Sequence, residues 1–123
     1  MRYEFWDSSA LAVASSADRV KVEGNLRALG LPSGTFDAVV VGEDIVRKKP
    51  APDIFLMASR RLGLEPGVCL VIEDAVSGVA AAKAAGARCL GITTSFSADR
   101  LTAAGADWTA ADLATATEVV LDW

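Results

Sequence analysis

The adjacent acids Glu73 and Asp74 are the side chains of this sequence best placed for chemistry. They directly follow the apolar run 68–72 and precede residues 76–86, a stretch of small residues typical of a helix. This order places two carboxylates at the carboxyl end of a buried strand, and in open α/β sheets ligands bind at that edge. Carboxylate oxygens suit a hard cation such as Mg²⁺. We therefore predict that Glu73 and Asp74 hold a metal ion.

Two further segments carry groups that suit a phosphate and could reach the same edge of the sheet. Ser15 and Ser16 follow the apolar run 11–14, and Lys49 stands in the basic and proline-rich stretch 47–53. A hydroxyl and exposed amides at the start of a helix can cradle a phosphate. A lysine held between prolines adds a fixed positive charge. We predict that Ser15, Ser16 and Lys49 bind phosphate.

Each of these residues also has a purely structural interpretation. Ser15 or Ser16 could cap the next helix, and Lys49 by itself could be a solvated loop lysine. Glu73 could offset a helix dipole, and Asp74 could be an N-cap residue. We favour the metal site because two adjacent acids at the end of an apolar strand repel each other unless a cation or hydrogen-bond donors compensate.

Together, the segments 14–17, 49–53 and 73–78 resemble the later motifs of the haloacid dehalogenase superfamily. The similarity is greatest to its β-phosphoglucomutase-like phosphatases and phosphomutases, and it covers nearly the whole chain from about Leu11 onward. It implies a three-layer, Rossmann-like α/β core with a mostly parallel sheet. It also implies Mg²⁺-dependent phosphoryl transfer through an aspartyl-phosphate, acting on a small phosphorylated metabolite.

The same resemblance implies roles for the candidate residues. Ser15 and Lys49 would be catalytic residues that hold the phosphoryl oxygens, with Ser16 beside them in the phosphate site. Asp74, with Glu73 directly or through water, would hold the metal. The implied cofactor is Mg²⁺, and the implied ligand is a small phosphorylated metabolite or phosphate.

The nucleophile of that family has no counterpart in this sequence. The family places a nucleophilic Asp and an acid-base Asp in a D-x-D pattern on an N-terminal strand, usually followed by a helical cap domain. Neither is found here, so we expect a partial core that lacks the nucleophile strand and the cap, is inactive by itself and binds Mg²⁺ weakly. The alternatives are a non-catalytic phosphate- or Mg²⁺-binding or assembly module, and one half of a split enzyme completed by another chain.

Asp7 echoes the D-x-D pattern, but Ser9 occupies the second acidic position. Parallel strands are joined by crossovers of about a dozen residues or more. Only seven residues lie between Asp7 and Ser15. Asp7 is therefore expected at the opposite edge of the sheet, away from the candidate site.

We interpret residues 1–10 as an N-terminal segment and residues 11–123 as the partial core domain. Residues 2–6 are rich in strand-forming aromatics, and residues 7–9 could turn them back against the following strand as a surrogate for the missing one. A second copy of the chain could fill the same position and give a homo-oligomer. The segment could also be a remnant of preceding sequence.

Composition and charge limit the classes of function. A chain of 123 residues can bury one hydrophobic core, and 52% hydrophobic with 23% charged residues indicates a folded domain. The apolar runs are far shorter than a membrane span and no leader is visible, so we expect a soluble, cytoplasmic protein without a membrane partner. The net charge of −4 argues against a nucleic-acid partner, which calls for a basic face.

The chain has no histidine and two cysteines. Mechanisms that need a histidine base or ligand, such as a Ser-His-Asp triad, are therefore excluded. Cys69 and Cys89 lie in strand-like segments, where we expect reduced core residues. We interpret four other charged residues as solvated surface: Arg19, Arg27, Asp44 and Asp112.

The hydrophobic patterns predict alternating strands and helices, and hence a parallel sheet with right-handed crossovers. The predicted strands are residues 11–14, 36–41, 68–72 and 88–93, with a further edge strand at 119–121. The predicted helices are residues 18–29, 52–62, 76–85 and 97–104.

Overall fold

Short strands and helices alternate along the chain in the computed structural model, which describes residues 10–31 and 34–112. The strands are β1 (Ala12–Ala14), β2 (Ala38–Val40), β3 (Leu70–Glu73), β4 (Arg88–Ile92) and β5 (Trp108–Ala110). The helices are α1 (Arg19–Ala28), α2 (Asp53–Leu62), α3 (Val76–Ala85) and α4 (Ala98–Ala103). Single 3₁₀ turns lie at Gly42–Asp44 and Pro66–Val68.

Local sequence signals set the bounds of the helices. Asp18 caps α1 and Ser97 caps α4, each by accepting a hydrogen bond from a backbone N–H of the first turn. Gly63 and Gly86 end α2 and α3 with φ angles of 72° and 89°, a conformation that glycine adopts without strain. The helix predictions are therefore confirmed to within a residue. None of the helices described is long and apolar enough to cross a membrane.

The strands form two parallel sheets. β1 pairs with β2, with Ala14 in register with Val40. β3 pairs with β4, and β4 with β5, with Glu73 in register with Gly91. Because every pairing is parallel, the carboxyl ends of the strands in each sheet meet at one edge. Among the described residues β1 and β3 are not paired, so the sheet is divided between them.

Helices α2 and α3 connect the two sheets on one face. α2 packs against β1, β2 and α3, and α3 packs in turn against β3 and β4. Both sheets and both helices contribute fully enclosed side chains to one core: Val40, Ile54, Val79 and Cys89. Burying a valine or isoleucine side chain in this way stabilises the fold by about 1.5–3 kcal/mol. The predicted α/β class with parallel strands is confirmed.

The third strand begins two residues later than predicted. Pro66–Val68 form a 3₁₀ turn, so the strand starts at Leu70. Cys69 therefore precedes the strand and is only partly buried, with its Sγ 3.4 Å from the carbonyl oxygen of Glu65. The prediction that Cys69 is a core strand residue is wrong. Cys89, in β4, is fully buried with a free thiol, as predicted.

Strand β5 was not predicted, because three residues are too few to show a hydrophobic period. It extends the second sheet beyond β4, with Trp108 in register with Leu90. The edge strand predicted at 119–121 lies outside the described residues. The interpretations of residues 1–9, including that of Asp7, also fall outside them.

Asp44 is a structural residue rather than a solvated one. Its carboxylate accepts a hydrogen bond from the backbone N of Val41 at 2.9 Å and another from Arg61 at 3.2 Å. Arg19 lies 3.6 Å from the same oxygen, and the Asp44 side chain is only 17% exposed. The network joins the 3₁₀ turn Gly42–Asp44 to α1 and α2. The surface interpretation is therefore wrong for Asp44, whereas Arg27 is exposed as expected.

Candidate active site

An open cleft of about 660 Å³ lies at the carboxyl ends of β1, β3 and β4. All five residues proposed from the sequence line it. Ser15 and Ser16 follow β1, Lys49 lies in the loop after β2, and Glu73 and Asp74 come from the end of β3. The rest of the lining consists of Ala14, Ile72, Ile92, Thr94 and Asp112.

The serine loop is held in place by contacts with the neighbouring strand and turn. The backbone N of Ser15 donates to the carbonyl of Val40 at 2.9 Å, and its Oγ accepts a hydrogen bond from the N of Ala17 at 3.2 Å. A side chain at Gly42 would collide with the carbonyl oxygen of Ser16. Gly42 therefore allows the chain after β2 to pack directly on this loop. Because Asp18 caps α1, the interpretation of either serine as the cap is wrong.

Lys49 is an enclosed lysine rather than a solvated one. Its Nζ lies 2.9 Å from Oε2 of Glu73, and only 17% of the Lys49 side chain is exposed. The same Nζ lies 5.2 Å from the centre of the Phe55 ring, within range of a cation–π contact. These two contacts orient the ammonium group at the wall of the cleft.

The negative charge of Glu73 is compensated by hydrogen-bond donors of the chain itself. Its Oε1 accepts from the backbone N of Asp74 at 3.2 Å and of Ala75 at 3.3 Å, just ahead of α3, while Oε2 accepts from Lys49. The Glu73 side chain is 11% exposed. The repulsion expected between the two adjacent acids is therefore relieved at Glu73 by the ammonium of Lys49 and two backbone amides. The sequence pattern did not indicate that these groups contact Glu73.

Asp74 presents the more accessible carboxylate of the pair. Asp74 is exposed, and its Oδ2 lies 3.4 Å from the hydroxyl oxygen of Ser95. Asp74 does not cap α3, since Ala75 holds the N-cap position. An exposed carboxylate at the edge of a parallel sheet has the donor chemistry that Mg²⁺ prefers. In residues 10–31 and 34–112, however, no three acidic, histidine or cysteine side chains cluster closely enough to hold a metal.

Sequence reasoning missed three residues at or beside the cleft. Thr94 lines the cleft and Ser95 contacts Asp74, and both follow β4 at the carboxyl edge of the sheet. The expectation that ligands bind at the carboxyl ends of parallel strands, which identified Glu73, could also have identified these residues. Strand β4 was predicted correctly, and polar residues follow it. Asp112 is exposed as expected, but it also lines the cleft.

The cleft thus combines groups for an anion with a carboxylate for a cation. The hydroxyl of Ser15 uses a lone pair for the amide of Ala17, so its O–H proton stays available for an acceptor in the cleft. The ammonium of Lys49 supplies positive charge at the adjacent wall. Asp74 supplies negative charge at the end of β3. This arrangement suits a phosphate group next to a hard cation.

Comparisons with known proteins identify the family and several relatives of this chain. A family model described as haloacid dehalogenase-like hydrolase matches residues 7–92. Protein SUPPRESSOR OF QUENCHING 1, chloroplastic, from Arabidopsis thaliana is 52% identical over 95 residues, which are 77% of this chain and 9% of that protein. Protein CbbY from Rhodobacter capsulatus is 38% identical over 109 residues, which are 86% of this chain and 47% of that protein.

Solved structures show the same fold. A Thermotoga maritima protein, described provisionally as a β-phosphoglucomutase, superposes with a TM-score of 0.77 at 36% identity, covering 87% of this chain and 51% of that one. CbbY from Rhodobacter sphaeroides in complex with phosphate superposes with a TM-score of 0.73 at 34% identity, covering 88% and 49%. This chain therefore spans about half the length, or less, of the proteins that it matches.

Proposed function

Because this chain belongs to the haloacid dehalogenase-like hydrolase family, we propose that its cleft binds the phosphoryl group of a small phosphorylated metabolite. The observation that carries the proposal is the convergence of Ser15, Ser16 and Lys49 with Asp74 on one cleft. The structure of CbbY from Rhodobacter sphaeroides in complex with phosphate supports the choice of ligand, since that protein has the same fold at 34% identity.

In this proposal the residues of the chain bind and neutralise the phosphoryl group. The hydroxyl of Ser15 and the polar groups of the Ser15–Ser16 loop donate to its oxygens, and Lys49 offsets their negative charge. Asp74, with Glu73 directly or through water, would hold Mg²⁺. The metal would supply further positive charge beside the phosphoryl oxygens.

We further propose that this chain by itself has no appreciable phosphatase or phosphomutase activity. Ser15 has no histidine to activate it, and a hydroxyl without an adjacent base is a weak nucleophile. The printed sequence also contains no D-x-D pair. Losing the nucleophile of a catalytic unit can lower kcat on the order of 10⁶-fold, as it does in subtilisin. Positioning and electrostatics alone would leave a residual rate that is hard to detect.

Hydrolysis of an aryl phosphate and of several sugar phosphates with Mg²⁺ tests the proposed inactivity. We expect the wild-type protein, Asp74→Ala and Asp7→Ala to give the same background rate. Robust turnover by the wild type that Asp7→Ala abolishes would make Asp7 a nucleophile and overturn this part of the proposal. Turnover lost only in Asp74→Ala would point to attack by water bound at the metal site.

The edge of β3 favours a second candidate function, in which another chain completes the site. Among the described residues β3 pairs only with β4, and Ile72 on β3 is 49% exposed beside the cleft. An open strand edge with an exposed apolar side chain can accept a strand from a second chain. A homo-oligomer formed in this way would be one form of a split enzyme or an assembly module.

The oligomeric state tests this second candidate. Native mass spectrometry over a range of protein concentrations should show an oligomer that Ile72→Asp weakens. Val46→Asp is the matched control, because Val46 is 94% exposed but does not line the cleft. A protein that stays monomeric at all concentrations, or an oligomer unaffected by Ile72→Asp, would contradict a homo-oligomer formed at this edge.

The remaining expectations about partners and location also stay proposals. We propose a cytoplasmic protein that binds neither nucleic acid nor membranes, on the basis of its net charge of −4 and its short apolar runs.

A further inference from the structure

Gly78 occupies an unusual position beside the candidate site. It is buried in the first turn of α3. A Cβ atom placed there would overlap the Cγ, Cδ and Oε2 atoms of Glu73, and these are its three nearest neighbours. The backbone does not require glycine, since Gly78 is not among the residues with positive φ. The close approach of the Glu73 side chain is therefore the local reason for a glycine at this position.

The space left by Gly78 holds the carboxylate that orients Lys49. In that space Glu73 accepts from the amides of Asp74 and Ala75 with one oxygen and from Lys49 with the other. A methyl group at position 78 would push the carboxylate away from all three donors. Lys49 would then lose the partner that fixes its ammonium at the cleft wall.

We propose that Gly78 is a positioning residue of the phosphate site, acting through Glu73 on Lys49. Glycine is less favourable than alanine inside a helix, so helix formation alone would favour a side chain at this position. A local choice that opposes helix propensity is expected where a site imposes a geometric demand. The effect on ligand binding rests on the proposed phosphate-binding function, whereas the contact between Gly78 and Glu73 does not.

Four proteins test the inference: the wild type, Gly78→Ala, Glu73→Ala and the double variant. Their melting temperatures and their affinities for inorganic phosphate are measured by thermal unfolding and by NMR titration. We expect Gly78→Ala to lower the melting temperature and to weaken phosphate binding about tenfold, the effect of losing one charge-assisted hydrogen bond. In the Glu73→Ala background the same change should raise the melting temperature and leave phosphate affinity unaltered, because no side chain remains to collide with it.

Gly24→Ala is the matched control for a glycine-to-alanine change inside a helix. Gly24 lies in α1, and the nearest neighbour of a Cβ there is an Arg27 side-chain atom at 3.9 Å. This change should raise the melting temperature and leave phosphate affinity unaltered. If Gly78→Ala behaves in the same way as Gly24→Ala, Gly78 has no positioning role and the inference fails.

The double-mutant cycle formed by the wild type, Gly78→Ala, Glu73→Ala and the double variant separates failure of the inference from failure of the proposed function. If the wild type binds no phosphate, the proposed function fails, while the melting temperatures still decide whether Gly78 and Glu73 are coupled. If Gly78→Ala does not fold but the double variant does, the collision with Glu73 is established. If neither folds, Gly78 is required for a reason unrelated to Glu73 and the inference is overturned.

Discussion

The Nζ of Lys49 lies 2.9 Å from Oε2 of Glu73, although the two residues are 24 positions apart in the chain. Lys49 belongs to the loop after β2, and Glu73 ends β3, so the ion pair joins the two sheets at the cleft. Both side chains are largely enclosed, at 17% and 11% exposure. Removing one partner of such a pair leaves an uncompensated charge in a poorly solvated place.

Lys49→Met should therefore destabilise the protein by about 2 kcal/mol, since it leaves the enclosed Glu73 carboxylate without its positively charged partner. Lys48→Met is the matched control: Lys48 is exposed, and its change should stay within about 0.5 kcal/mol of the wild type. Urea unfolding gives both values. Equal free energies of unfolding for the two variants would show that the ion pair contributes nothing to stability.

Mg²⁺ should bind near Asp74, but only with an affinity of about 1 mM or weaker, because few protein oxygens are available and water fills the rest of the shell. Calorimetric titration should show this weak binding in the wild type and none in Asp74→Asn. Asp99→Asn, at an exposed position in α4, serves as the control and should bind as the wild type does. Binding that survives Asp74→Asn would remove Asp74 from the metal site.

The stability of the protein should fall in acid partly through Asp44. The backbone N–H of Val41 and then the side chain of Arg61 lower the pKa of Asp44 below 3.8. Since the pKa of Asp44 is lower in the folded state, the stability that its ionised carboxylate contributes is fully present above the unfolded-state pKa. It is lost as pH falls through the lower, folded-state pKa. Asp44→Asn should be less stable than the wild type at pH 7, and the difference should shrink below pH 4. A difference in unfolding free energy between Asp44→Asn and the wild type that does not change with pH would argue against a stabilising role of the ionised Asp44.

The two thiols should react at different rates. Burial, and then the negative charges of Glu73 and Asp107, raise the pKa of Cys89 to about 12. Burial also raises the pKa of Cys69, but that side chain is partly accessible. Iodoacetamide at pH 8 should modify Cys69 first and Cys89 only after unfolding, because the thiolate is the reactive species. Peptide mass spectrometry reads out both sites, and equal rates in the folded protein would contradict the burial of Cys89.

The positions of the candidate residues could be predicted from the sequence because they follow local patterns. Ser15, Glu73 and Asp74 each follow an apolar run, and the carboxyl ends of parallel strands meet at one edge. The pairing of Lys49 with Glu73 could not be predicted in this way. It depends on how α2 and α3 hold the two sheets relative to each other, which no local pattern specifies.

Other features depended on contacts that sequence patterns do not show. Gly78 fits a small-residue helix in the sequence, and its contact with Glu73 appears only when α3 is packed behind β3. Asp44 looked like a surface acid because its partners lie on three different segments. Cys69 was assigned to a strand because the turn at Pro66–Val68 is apolar and continuous with it in the sequence.

Titration of the isotope-labelled protein with inorganic phosphate, followed by NMR at constant ionic strength, tests the central claim most directly. We predict saturable shifts at the backbone amides of Ser15 and Ser16, with an affinity reduced at least about tenfold in Lys49→Met and retained in Lys48→Met. The absence of saturable shifts, or shifts confined to residues away from the cleft, would contradict the claim that Ser15, Ser16 and Lys49 form a phosphate site.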